Sequence, residues 1–120
     1  MRGILIDAKN KTVTEVDVAS GALAPMLGCE RVDCITLHTL PRGSVASIDL
    51  WVDDEGAFNS EHGFMLAGDP DPLVICGNGL IVDCDHEGRC VGTRIPLAAV
   101  AAIVSFGIAV PDVQIQVVPW

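Results

Sequence analysis

The chain has no tyrosine, three Phe and two Trp. So few rings exclude a core built on aromatic packing, and the apolar half of the chain is mostly Val, Ile, Leu and Ala. Those residues fill a sheet-rich interior of branched aliphatic side chains. Positive charge is equally scarce. Seven Lys and Arg stand against sixteen Asp and Glu, giving a net charge of −9, and neither basic residue occurs between Gly43 and Gly88. Affinity for phosphates comes from clustered Lys and Arg, so direct binding of nucleic acid or anionic lipid is not expected. A negative field favours basic proteins and cations instead. The five cysteines include no CxxC pair, and no phosphate loop, dinucleotide fingerprint or GxSxG elbow occurs. The longest apolar segment, Ile95–Val110, is broken by Pro96, Ser105 and Gly107 and is too short to span a bilayer. No export signal is visible after Met1, so the expected setting is the cytoplasm, with free thiols.

What is present fits one α+β domain over residues 1–120. The mean hydropathy of +0.46 argues against disorder despite the charge. Gly3–Asp7 and Thr12–Val18 flank a polar turn and read as a β-hairpin. Ser20 is placed to cap a short helix over Gly21–Leu27, which Pro25 restricts and Gly28 ends. Arg31–Leu40 and Val45–Val52 read as strands around Pro41-Arg42-Gly43. Asp53-Asp54-Glu55-Gly56 reads as a hairpin turn with its glycine at positive φ. Phe58–Pro72 loses all periodicity and reads as a long loop. Leu73–Cys76 and Leu80–Cys84 are short strands, followed by a second acidic turn at Asp85–Gly88. The main helix is expected over Ile95–Phe106, with Pro96 in its first turn and Gly107 after its end, and Val113–Val118 is expected as a closing strand. The expected architecture is a mainly antiparallel sheet of six to seven short strands carrying one main helix.

The order of these features resembles a family of small phage and bacterial proteins without an established activity. The carrying residues are the apolar strand Ile4–Asp7, the turn Val52–Gly56, the strand Gly77–Val82, the Glu87-Gly88 turn and the helix Ile95–Phe106. The resemblance covers residues 1–107. Val113–Val118 extends beyond it, and the Pro25 helix departs from the longer helix of the pattern. It implies a phage or mobile-element accessory protein in a host cytoplasm, and it carries over no catalytic residue and no cofactor.

The chemistry candidates each meet a structural alternative. Asp83-Cys84-Asp85-His86-Glu87-Gly88 begins like a calcium loop, but Arg94 occupies the position where a bidentate carboxylate is required. Cys84, His86 and Cys90, with Cys76 as a fourth, offer soft zinc ligands without the close Cys pairs of a zinc knuckle. A cysteine nucleophile needs nearby positive charge, and Cys76 and Cys84 sit among acids. His38 and His62 are isolated, in a strand and a loop. Asp53 and Asp54 are adjacent and diverge on a strand, whereas Asp83 and Asp85 share a face but sit at a turn that uses carboxylates for backbone bonds.

The acidic stretch itself remains. Asp49, Asp53, Asp54, Glu55, Glu61, Asp69, Asp71, Asp83, Asp85 and Glu87 are read as one partner-binding face, with Phe58, Phe64, Met65 and Leu66 as an apolar loop inside it. Carboxylates would occupy the phosphate-binding positions of a basic partner while the apolar side chains anchor the contact. The expectation is a non-enzymatic protein that inhibits a basic, nucleic-acid-handling host protein, such as a CRISPR or restriction complex, by masking its nucleic-acid site. Self-association through an edge strand, Arg31–Leu40 or Val113–Val118, is the alternative. A metal-binding protein or enzyme using Cys84, His86 and Cys90 is the third.

Overall fold

A computed structural model describes residues 1–19, 21–68 and 70–109, the last two of these for their backbone only. Ser20, Asp69 and the expected strand Val113–Val118 lie outside the described residues. The elements run β1 (Arg2–Asp7), β2 (Thr12–Asp17), α1 (Leu23–Leu27), β3 (Val32–Thr39), β4 (Val45–Asp53), α2 (Gly56–Asn59), β5 (His62–Leu66), β6 (Leu73–Cys76), β7 (Gly79–Asp85), β8 (Cys90–Val91), α3 (Leu97–Ile103) and β9 (Val104–Ala109). The fold is α+β and its strand pairs are antiparallel, as the sequence leads one to expect.

The strands form two sheets rather than one. A six-stranded sheet runs β2-β1-β7-β4-β3 with β8 also on β7, and a three-stranded sheet runs β6-β5-β9. The middle of the large sheet is β7, buried from Gly79 through Asp83. Its apolar run Leu80-Ile81-Val82 suits burial on both faces. One edge of β7 is shared end to end, Gly79–Ile81 pairing with β1 and Asp83–Cys84 with β8. β4 takes the whole opposite edge, from Val52 against Gly79 to Val45 against Asp85.

Strand alternation divides the interior in two. On one face Ile4, Ile6, Leu50, Val52 and Ile81 pack against Phe64, Leu66 and Ile75 of the small sheet and Val100 of α3. On the other, Leu80 and Val82 pack with Val18, just after β2, and Leu27 of α1, joined by Trp51, Val32 and Cys90. α1 is a single turn with Pro25 within it, and it ends at Gly28 in the left-handed conformation. Ala22 rather than Ser20 occupies its cap position, with no side-chain cap bond.

Three stretches depart from the sequence reading. Asp53–Gly56 does not return the chain as a hairpin; it leads into α2, and Gly56 is not among the residues with positive φ. Its glycine serves a close approach, since a Cβ there would drive into the Cys76 carbonyl oxygen. Phe58–Pro72 is no continuous loop, because β5 lies inside it and pairs on both sides. The reason is burial: Phe64 is fully buried and Leu66 nearly so, and Gly63 lacks the side chain that would mark the alternation. The helix expected over Ile95–Phe106 spans only Leu97–Ile103, with Pro96 as its extended cap residue. Four alanines favour helix there, whereas Val104, Phe106 and Ile108 alternate with period two and form β9. Gly107 is not a helix cap. At φ 86° it sits in a bulge where Phe106 and Gly107 face the single residue Phe64.

Candidate functional site

The carboxylates read from the sequence as one face are not brought together. Asp49 and Asp83 are buried, and the pleat sends them to opposite faces of the large sheet. Ser47 Oγ donates to Asp49 Oδ1 at 2.9 Å. Asp83 lies beside Ile81 on the face of the larger core, and its Oδ1 has no hydrogen-bond partner among the described residues. Burial pushes the Asp83 carboxyl up, with partial relief from the Thr93 side chain and the Arg94 backbone and a further upward push from Asp49.

Asp85 and Glu87 lie at the far end of β7, in the hairpin to β8. Asp85 Oδ1 accepts from the Glu87 and Arg89 backbone N–H groups at 2.9 Å each, and Arg89 also contacts Asp85 Oδ2 and Glu87. These bonds, the Arg89 backbone N–H first, hold the Asp85 carboxyl below its ordinary value. Gly88 takes φ 83°, which the turn requires, and the His86 ring lies 2.9 Å from Gly43 O. His86 is thereby engaged with a different loop from Cys84 and Cys90. Among the described residues no three His, Cys, Asp or Glu side chains are gathered as a metal site.

Asp53, Asp54, Glu55 and Glu61 lie at the other end of the sheet. There α1 ends, β4 runs into α2, β5 begins and β6 turns into β7. Two adjoining open clefts, about 330 Å³ and about 450 Å³, share Gly28, Asp53 and Asn59. Glu61, His62, Ser60, Lys9 and Asn78 line the first, and Glu30, Arg31 and Glu55 the second. Asp53 is a support rather than a reactive group: Oδ1 accepts from Glu55 N at 2.9 Å and Oδ2 from Asn59 Nδ2 at 3.2 Å. Asp54 N donates to Arg31 O at 3.1 Å, tying α2's lead-in to the chain after α1. Asp54, Glu55 and Glu61 are left exposed. Between them α2 presents Phe58, whose exposure of 68% is the highest of the large apolar side chains described.

The apolar loop expected around Phe58 is thus corrected. Phe64 and Leu66 belong to the core and Met65 is half-buried, so Phe58 alone of the four is displayed. Alternation Phe64-Met65-Leu66 was the available signal for a strand, but two glycines and two Asp-Pro pairs around it masked the period. Asp71 is exposed and lies away from this end, beside Ile35, Leu37 and Ile103.

Sequence reasoning also missed a group on the face of the large sheet that carries Leu80 and Val82. Cys34, Ser47, Asp49, Cys84 and Cys90 sit on the same face across four strands. Partial desolvation first, then the negative charge of Asp49, pushes the thiol of the exposed Cys34 up. Burial raises Cys84 and Cys90 as well, with Asp49 and Asp85 adding to it. Cys29 is raised by burial and by Asp53. A raised thiol is a poor nucleophile at neutral pH, which argues against cysteine catalysis at all four positions.

No helix among the described residues is long and apolar enough to cross a membrane. No family model, curated protein or solved structure matches the chain.

Proposed function

We propose that this chain is a non-enzymatic binding protein whose acidic end docks on a basic protein surface, one that handles nucleic acid, and masks it. The observation that carries the reading is Phe58, exposed at 68% on a four-residue helix flanked by Asp54, Glu55 and Glu61. An aromatic side chain standing in solvent forgoes roughly 2 kcal/mol of burial that a partner can supply. Carboxylates around it select a partner rich in Lys and Arg and speed the encounter. This is a smaller surface than the ten-residue face expected from sequence, and it excludes Asp49 and Asp83, which are buried. The resemblance to small phage and bacterial proteins suggests only the context of a phage or mobile-element accessory protein, and a host defence complex is the partner proposed within it.

The test is capture of basic host proteins on the immobilised chain at low salt, with Phe58→Ala and the pair Asp54→Lys/Glu55→Lys as comparators. The expected result is a retained nucleic-acid-binding protein that is lost with either variant and displaced by added DNA or RNA. Retention that ignores both variants, or no retention, removes the proposal.

A second reading, self-association through an edge strand, is favoured by one observation: β3 is the terminal strand of the large sheet. Its edge is interrupted by a bulge between Thr36 and His38, a feature that discourages pairing. A Thr36→Pro variant that changes a sedimenting oligomer to a monomer would favour it.

A further inference from the structure

The hairpin between β7 and β8 places two thiols directly opposite each other. Cys84 pairs with Cys90 in the antiparallel register, between the pairs Asp83–Val91 and Asp85–Arg89. Asp85 N donates to Arg89 O at 2.9 Å, which makes that neighbouring pair a hydrogen-bonded one. Hydrogen-bonded and non-hydrogen-bonded pairs alternate, so Cys84–Cys90 is of the non-hydrogen-bonded kind, with Cα atoms about 4.5 Å apart. A disulfide accepts Cα separations of roughly 4.4–6.8 Å. Both side chains lie on the same face and both are half-buried. The other three cysteines are placed otherwise. Cys34 lies on β3 with β4 between it and β7, a lateral distance of about 9.5 Å at ordinary strand spacing. Cys29 follows α1, and Cys76 pairs with Gly63 in the small sheet.

We propose that Cys84 and Cys90 are a reversible dithiol–disulfide site that takes a small-molecule disulfide, such as glutathione disulfide, as its oxidant. In the first step the thiolate of one cysteine attacks a glutathione sulfur. The glutathione disulfide bond breaks, a mixed disulfide forms, and one glutathione leaves as its thiolate. The second cysteine then attacks the protein sulfur of the mixed disulfide, the Cys84–Cys90 bond forms and the second glutathione leaves. The protein loses two electrons, glutathione disulfide gains them, and the two thiol protons end on the two glutathiones. Burial and the carboxylates of Asp49 and Asp85 keep both thiols protonated at neutral pH, so the exchange is slow and the site is a clasp rather than a catalyst. What it fastens is specific. β8 has only two residues, and it holds the segment whose Thr93 N–H donates to Arg2 O and whose Thr93 and Ile95 carbonyls accept from Arg2 Nη1.

The experiment uses the whole reduced chain in native buffer with glutathione disulfide, followed by alkylation, digestion and peptide mapping. The expected product is an intramolecular Cys84–Cys90 link that reductant removes, with Cys29, Cys34 and Cys76 free or carrying single glutathione adducts. Oxidised protein should also show slower amide exchange in β8 than the reduced form. Cys34→Ser should leave the link unchanged, and Cys84→Ser should convert Cys90 to a glutathione adduct. Separate adducts on Cys84 and Cys90 of the folded wild-type chain, or a link to any other cysteine, would overturn the proposal without reliance on a variant.

Discussion

At the scale of single residues, the fold separates side chains that the sequence presents as equivalent. Phe58 and Phe64 lie six positions apart, one exposed at 68% and the other fully buried. Phe64→Ala should lower stability by about 3–5 kcal/mol through lost burial and a cavity, read as a reduced urea midpoint. Phe58→Ala should change stability by less than about 0.5 kcal/mol. If Phe58 anchors a partner, the same change should weaken binding by roughly thirtyfold, the cost of a hot-spot side chain. Asp83 and Asp85 diverge in the same way. Burial raises the Asp83 carboxyl, so its protonated form is favoured by folding. The stability that it contributes is present at low pH and is lost as pH rises from the ordinary carboxylate range through the raised value. Asp85, held below its ordinary value, contributes in the opposite sense, and its share is lost at low pH. Asp83→Asn should therefore raise the urea midpoint at pH 7 and flatten its decline above the carboxylate range. A midpoint lowered only above the carboxylate range would show instead that the ionised carboxylate itself is needed.

At the scale of elements, two glycines decide how neighbouring pieces meet. Gly56 allows α2 to pass against the Cys76 carbonyl. Gly56→Ala should cost about 1–3 kcal/mol, the usual penalty for overpacking a closed site. It should also move α2, so binding through Phe58 should fall along with stability, whereas Phe58→Ala separates the two. Gly107, at φ 86° in the bulge of β9, has no described atom within 4 Å of an added Cβ, so its requirement among the described residues is conformational. Gly107→Ala should cost about 1–2 kcal/mol, the penalty of a left-handed conformation for a residue with a side chain. Loss of amide protection confined to β5 and β9 would identify the bulge as the affected element.

At the scale of the whole molecule, the exposed carboxylates of the acidic stretch fall mainly at two ends of the large sheet, with Asp71 apart from both. The turn at Asp85–Gly88 neutralises part of its own charge through Arg89. The end around Phe58 leaves Asp54, Glu55 and Glu61 exposed, with Lys9 and Arg31 as the nearby cations. Exposed charges are screened over about 8–10 Å at physiological salt, so steering by this end should weaken steeply with ionic strength. Association rates measured from low to high salt should fall for the wild type. They should fall less for the Asp54→Lys/Glu55→Lys variant, and dissociation rates should respond mainly to Phe58→Ala. Equal salt dependence of the two proteins would place the electrostatic contact elsewhere.

The sequence by itself determined the class of the fold and most of its strands. Alternation in Thr12–Val18, Arg31–Leu40 and Val45–Val52, the apolar run Leu80–Val82 and the turn at Asp85–Gly88 all carry local signals that tertiary contacts reinforce. It also determined the scarcity of positive charge and hence the sign of any electrostatic partner. Tertiary structure alone decided what depends on register and burial. A strand hidden among glycines and prolines became β5 because Phe64 and Leu66 complete the larger core. Val104–Ala109 became a strand because β5 offers it an edge, and local helix propensity ends with the alanines before it. Asp49 and Asp83 left the acidic surface because the pleat turns them inward. Cys84 and Cys90 met because a three-residue turn sets them opposite each other, a fact that spacing allows but only pairing fixes.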